Sequence, residues 1–345
     1  MIKEKTEKKF PSELRFDLVS RDWVVVATGR AKRPHSFKKT EKEQPPSQEN
    51  CPFCHLETQE KPTLIIAEGK SIKKPSIIPI NWQVAAFPNK YPAFLPFPEF
   101  ETQKEGEFYK KMNAVGFHEV VATRDHEKHL ALLSDEVVVQ VIDVYLQRYL
   151  DLMTKKFVNH IAIFHNKGRE AGASIFHPHS QIITTPLIDS DLKKALLNSK
   201  RYYQTKGKCV YCAMNEWELK ERKRIVFENK EFLVLCPFAS KVAFEMIISP
   251  KKHLSYFERM DENQKKYLAQ ALKTALFKIY KGLGDPAYNF YLHTSPADGK
   301  KYPYYHWHFT ILPRLGGQIA GFEMGTRMEI STIEPEKAAE YLRNQ

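Results

Sequence analysis

No run of apolar residues in this 345-residue sequence approaches the roughly 20 needed for a transmembrane helix. The opening stretch, Met1 to Lys9, alternates in charge and does not read as a secretory signal. The expected location is therefore the cytoplasm, with no membrane partner. Cysteine is scarce. Four of the five fall in two Cys-x-x-Cys pairs, Cys51/Cys54 and Cys209/Cys212. In a chain without an export signal, such pairs read as metal ligands more readily than as disulfides. Acidic residues are outnumbered, 41 against 53 basic ones, and the net charge of +12 favours nucleotides, phosphosugars or nucleic acid as partners. A last absence bears on the third of these. Lys and Arg are spread along the chain, with no basic stripe interleaved with aromatics. A basic zinc-containing nucleic-acid-binding protein is thus the competing reading from another class, recognisable by tight RNA or DNA binding with a steep salt slope.

What is present centres on the run from Asn166 to Gln181. The apolar strand Ile161 to Phe164 enters a loop holding Gly168 and Gly172, and His177-Pro-His-Ser-Gln181 opens a second strand, Ile182 to Thr185. Side chains at i, i+2 and i+4 of an extended backbone share one face, so His177, His179 and Gln181 point the same way. The neighbouring glycine loop can bring backbone N–H groups to an anion. An imidazole beside a phosphate cradle is equipment for nucleophilic attack on phosphorus.

The order of parts then repeats. A Cys-x-x-Cys pair is followed by strands, a histidine, an amphipathic helix, a strand and a His-x-His. In the first half, Ser134 caps a helix whose stripe includes Val138, Val141, Ile142, Tyr145 and Tyr149. In the second, Asp261 and Gln264 form a capping box for a stripe from Tyr267 to Leu283, stopped at Gly284. Strands are expected at Trp82 to Phe87, His118 to Ala122, Phe232 to Leu235, Phe244 to Ile248, Asn289 to Leu292 and Phe309 to Leu312. The interval His126 to His177 is 51 residues and His253 to His306 is 53. Such a duplication implies two similar α+β units able to pair their sheets around a shared core. The expected organisation is a flexible tail (1–12), a catalytic unit (13–190) and a second unit (191–345).

Each half supplies four candidate ligands: Cys51, Cys54, His126 and His177, then Cys209, Cys212, His253 and His306. Two thiolates and two imidazoles suit tetrahedral zinc, closed and structural, two ions per chain. His118 and His129 are rivals to His126 in the first set. The halves differ in chemistry. The second ends His306-Trp-His308-Phe-Thr310, without the glutamine and without the glycine loop. One functional centre is therefore expected, in the first half, with His308 a packing or hydrogen-bonding residue.

The run from Asn166 to Gln181 resembles the active-site segment of galactose-1-phosphate uridylyltransferases, the nucleotidyl-transferase branch of the histidine triad superfamily. The likeness extends from Glu13 to about Arg343. It implies two tandem histidine-triad-like units, each an antiparallel sheet with a packed helix, paired into one extended sheet. It implies His179 as the nucleophile on the α-phosphorus of a nucleoside-diphosphate sugar, its other nitrogen bonded to the carbonyl of His177. By the same resemblance Gln181 and Ser174 hold phosphate oxygens with Asn166, Lys167 and Gly168 nearby, and Arg30, Arg33 and Asn89 lie toward the nucleotide. Phe322 and Glu323 belong to a hexose-binding stretch that the partner subunit of a homodimer supplies. Arg327 stands where the family commonly has glycine, and Ser331 where it has asparagine. The leading implied activity is UDP-glucose:galactose-1-phosphate uridylyltransferase of galactose metabolism, acting on a nucleotide sugar and a hexose 1-phosphate. The enzymatic rival is an ADP-sugar phosphorylase, which uses the same histidine with phosphate as acceptor.

Overall fold

The computed structural model describes residues 12–29, 46–315 and 320–345. The first half runs β1 (Glu13–Phe16), β2 (Trp23–Val26), β3 (Leu64–Ala67), β4 (Lys70–Lys73), β5 (Trp82–Pro88), β6 (Thr102–Glu105), β7 (Tyr109–Met112), β8 (His118–Thr123), α1 (Asp135–Leu152), β9 (His160–Lys167) and β10 (His179–Thr185). After α2 (Ser190–Lys206), the second half runs α3 (Val210–Glu221), β11 (Ile225–Glu228), β12 (Phe232–Leu235), β13 (Met246–Pro250), α4 (Glu262–Leu283), β14 (Ala287–His293) and β15 (His308–Arg314). It closes with α5 (Gly321–Thr326), β16 (Ile330–Ser331) and α6 (Pro335–Arg343).

Eleven strands form one sheet in the order β11-β12-β13-β15-β14-β9-β10-β8-β5-β3-β4. The seam between halves is antiparallel, with β14 paired to β9 and Asn289 opposite Asn166. This is the α+β architecture of two units sharing a sheet that the duplication predicts. Beside it, β1, β2 and β16 make a three-stranded sheet.

Helices α1 and α4 cover one face of the large sheet. Ser134 caps α1 by accepting the N–H of Val137. Asp261 and Gln264 close a complete capping box on α4, and Gly284, at φ 74°, ends it in the left-handed turn that favours glycine. The buried stripes of both helices join one core with inward residues of the strands, among them Val121, Ile161, Ile163, Ile182, Phe290 and Phe309. Across the two helices, Lys265 reaches Asp143 at 2.5 Å. The opposite face carries a small apolar cluster under the first half, including Phe53, Phe87, Val120 and Ala122. Helices α2 and α3 pack over the second half around Val19, Tyr211 and Tyr305.

Three departures from expectation have local causes. The strand predicted at Phe244 to Ile248 begins later, at Met246. Phe244 has φ 62°, which extended backbone cannot include. The second Cys-x-x-Cys is not a free knuckle, because Cys209 is the residue that starts α3. The β6–β7 hairpin lacks alternating polarity, being exposed on nearly every residue, so no period-2 signal marks it.

Candidate active site and metal centres

On β9 the residues Ile161, Ile163, His165 and Lys167 are buried on the helix side, while Asn166 and Phe164 lie on the opposite face. The register Gln181↔Phe164 on β10 places Gln181 and His179 on that same opposite face. His179 begins β10. Its Nδ1 donates to the carbonyl of His177 at 2.8 Å, which leaves Nε2 with the free lone pair. The Phe53 ring stands edge-on to it, centroids 5.0 Å apart. Burial lowers the His179 pKa, opposed by the hydrogen bond to His177, and so favours the neutral ring.

Gln181 Oε1 lies 2.6 Å from Nε2 of His118, and the Asn89 amide nitrogen lies 3.2 Å from the same atom. Asn166 Oδ1 accepts from Asn289 at 2.8 Å, and the same amide donates to the carbonyl of Ala171 in the glycine loop. Arg314 in turn donates to Asn289 at 2.7 Å. Asn289 and Arg314, both from the second half, escape the sequence reading because their role depends on the seam between β14 and β9. Gly168 has φ 83°, and a side chain there would meet Ala287 at 2.8 Å, so only glycine permits the loop to lie this close to β14. Ser174 is exposed on the loop leading to His177.

Lys167 sits elsewhere. Expected beside the phosphate, it lies on the helix side, where its ammonium pairs with Asp285 and donates to the carbonyl of Pro286 at 3.1 Å. Strand alternation dictates this: a residue next to Asn166 faces the other way. Phe322 and Glu323 lie in α5, Phe322 exposed. Among the described residues, no hydrogen bond or ring contact links them to His179. Arg30 and Arg33 lie outside the described residues.

The eight candidate ligands form two clusters, Cys51, Cys54, His126 and His177, and Cys209, Cys212, His253 and His306, with ligand atoms all within 4.8 Å of one another. In the first, Cys51 and Cys54 lie 3.4 and 3.6 Å from His177 Nδ1, Cys54 lies 3.3 Å from His126 Nδ1, and the two Nδ1 atoms are 3.3 Å apart. A tetrahedral ion with bonds of about 2.0–2.3 Å requires ligand separations of roughly 3.3–3.8 Å. The donors fit. Each imidazole also spends its Nε2 proton on a carbonyl, His126 on Pro46 at 2.9 Å and His177 on Thr123 at 2.7 Å, which turns Nδ1 toward the other ligand atoms. Of the three rival histidines, only His126 joins the cluster. In the second, Cys212 lies 3.3 and 3.5 Å from His253 and His306, and His306 Nε2 donates to Pro250 at 2.9 Å.

The second half repeats the backbone bond of His179 in different surroundings. His308 Nδ1 lies 3.2 Å from the carbonyl of His306. Its ring stacks on His293 at 4.6 Å and lies against Tyr211. Thr310 replaces the glutamine. This is the packing and hydrogen-bonding role expected for His308.

Sequence profiles of the galactose-1-phosphate uridyl transferase N-terminal and C-terminal domains match residues 2–189 and 195–344. The chain belongs to the galactose-1-phosphate uridyl transferase family. An ADP-glucose phosphorylase of Arabidopsis thaliana is 35% identical over 338 residues, covering 96% of this chain and 92% of that one. A galactose-1-phosphate uridylyltransferase of Thermotoga maritima is 29% identical over 340 residues, covering 96% and 98%. Among solved structures, the Arabidopsis ADP-glucose phosphorylase with bound ADP-glucose superposes with a TM-score of 0.80 at 30% identity, covering 97% and 99%. Membership makes this an enzyme of nucleotidyl transfer, and the family includes both kinds of relative. Among the described residues, no helix is long and apolar enough to cross a membrane.

Proposed function

We propose that the protein transfers a nucleoside monophosphate from a nucleoside-diphosphate sugar to a phosphate-bearing acceptor by double displacement through His179. The observation that carries this is the 2.8 Å bond from Nδ1 to the His177 carbonyl, which fixes the tautomer that attacks. In the first step Nε2 bonds to the α-phosphorus, and the bond from that phosphorus to the bridging oxygen breaks. Sugar 1-phosphate leaves with the oxygen and the electron pair. In the second step an oxygen of the acceptor phosphate takes the same phosphorus, and His179 is restored. Gln181, Ser174, Asn166 and the N–H groups around Gly168 would hold the non-bridging oxygens. Such a fixed cage for spreading charge supplies most of the catalysis in phosphoryl transfer. Asn89 would lie toward the nucleotide.

Two specificities are supported. The 35% relative and the ADP-glucose-bound structure favour an ADP-sugar with phosphate as acceptor. The Thermotoga relative favours UDP-glucose with galactose 1-phosphate. Incubation with ADP-glucose and with UDP-glucose, each labelled in the α-phosphate, separates the two. One peptide, Phe176 to Gln181, should carry a label that is labile in acid and stable in base. A chase with inorganic phosphate or galactose 1-phosphate identifies the acceptor. His179→Gly should lose transfer entirely and keep its fold. Label on His308 would show the wrong half to be active.

We assign zinc to both clusters on the strength of their two-thiolate, two-imidazole donor sets, which leave no open position and make the ions structural. Elemental analysis should find two zinc ions per chain, and fewer than one would end the assignment. We also assign a homodimer in which the partner's segment around Phe322 and Glu323 completes each site. On light scattering, a fully active monomer of 40.2 kDa would refute it.

A further inference from the structure

Gln181 can serve a phosphate only as a donor. An amide has two ends, and a carbonyl oxygen turned to a phosphate oxygen would repel it. Something must therefore decide which end of Gln181 faces the site. His118 stands diagonally across from it, since Ile183 is the register partner of His118 and Val120 that of Gln181. Diagonal neighbours on one face lie within reach of long side chains. His118 Nδ1 receives the backbone N–H of Ala93 at 3.1 Å. A backbone N–H only donates, so Nδ1 is the unprotonated nitrogen and the ring proton sits on Nε2. That Nε2–H donates to Gln181 Oε1 at 2.6 Å, and the oxygen is committed.

The surroundings fix His118 in turn. The main-chain N–H of Asn89 donates to the carbonyl of His118 at 2.8 Å, and Asn89 Oδ1 accepts the N–H of Tyr91 at 2.9 Å. With its own oxygen used, Asn89 presents its amide nitrogen beside a protonated Nε2, which cannot accept from it. Like Gln181, it keeps its N–H groups for another acceptor. The loop after β5 thus sets the tautomer of one histidine, and that histidine turns the Gln181 amide donor-side out, while the Tyr91 N–H does the same for Asn89.

We propose that His118 is a positioning residue that locks the Gln181 amide with its oxygen held back and its NH2 offered to the substrate phosphate. The catalytic consequence rests on the nucleotidyl transfer proposed above, whereas the hydrogen-bond geometry does not. The histidine belongs neither to the metal cluster nor to the group that forms a bond to phosphorus. Its effect should therefore pass entirely through Gln181.

Two measurements test this. In the full-length protein labelled with 15N-histidine, the resonances missing from His118→Gln identify His118. They should report a neutral ring protonated on Nε2. A ring protonated on Nδ1, or one that averages between tautomers, would overturn the proposal whatever the enzyme's activity. In kinetics, His118→Ala should lower kcat by roughly 10- to 100-fold, the range of groups that orient a functional side chain, with KM changed less than about threefold. His118→Gln, which keeps an N–H donor at that reach, should recover most of the loss. In a Gln181→Ala background, His118→Ala should lower kcat no further, because residues acting as one unit are not additive. A full second loss in that background would show that His118 acts on its own and would sink the idea. Were the wild-type protein to turn over no nucleotide sugar, the proposed function would fall, while the tautomer measurement would still decide the geometry.

Discussion

Glu245 holds a carboxyl group in a place with little room for its charge. It is buried on the second half, accepts the N–H of Lys241, and burial raises its pKa to about 7 from 4.5. The folded state then binds the proton more tightly than the unfolded chain does. Stability is lost as pH rises between about 4.5 and about 7 and stays lost above. At about 1.4 kcal/mol per pKa unit the loss amounts to about 3 kcal/mol. Glu245→Gln, which keeps an acceptor for Lys241, should be nearly neutral at pH 4.5 and stabilising by about that amount at pH 8 in urea unfolding. An equal effect at both pH values would mean the carboxyl is not neutral in the fold. Nothing in the sequence around Glu245 announces this, because burial is set by residues distant in the chain. His179 and Gln181 were legible for the opposite reason: their shared face follows from strand period alone. The same period, applied to Lys167, would have turned it away from Asn166 and toward Asp285. His126 could not be told from His118 and His129 by spacing, and only the fold sends the three to the two-cysteine cluster, to Gln181 and to a half-buried position.

Helix α1 is fastened to the sheet by one buried ion pair. Arg148 grips Glu119 of β8 with two bonds of 2.7 Å, and both side chains are more than nine-tenths covered. Removing one partner leaves the other charge buried and alone, which costs about 3–5 kcal/mol. Arg148→Ala should lower stability by that amount in chemical denaturation. Pairing Arg148→Met with Glu119→Leu should restore most of it, since the lost item is then a satisfied pair and not an orphaned charge. If the double variant were as unstable as the single one, packing and not charge would be the cause. At this scale, what was legible was local. The caps Ser134, Asp261 and Gln264 and the stop at Gly284 declare themselves within a few residues. Helix α3 did not, because it carries no regular apolar stripe and exposes Trp217. The four-residue strand β3 is buried throughout, and a short continuous apolar run has no period to read.

The duplication makes the molecule two copies of one device, and the copies have diverged in what surrounds their Cys2His2 clusters. Matched intervals in the sequence revealed the two halves, but not that β14 would dock on β9 and bring Asn289 and Arg314 to the first half's loop. In the first half, His177 ties the cluster to the proposed nucleophile, because the carbonyl of the same residue orients His179. Phe53, between Cys51 and Cys54 in sequence, packs edge-on to that ring. In the second half the equivalent bond leads only to His308, which is buried under His293 and Tyr211. Loss of either ion should destabilise the fold, since a closed structural site contributes folding energy. Only the first should reach the chemistry. Cys51→Ser and Cys209→Ser should each retain one ion per chain and melt at lower temperature than the wild type. Scaled to folded protein, Cys209→Ser should keep kcat within about twofold, while Cys51→Ser should lose at least about tenfold, the effect of freeing a ligand that aims a catalytic group. Equal losses of kcat in the two variants would mean that the second cluster also supports the active centre, through the shared sheet, and that the halves are less independent than their geometry implies.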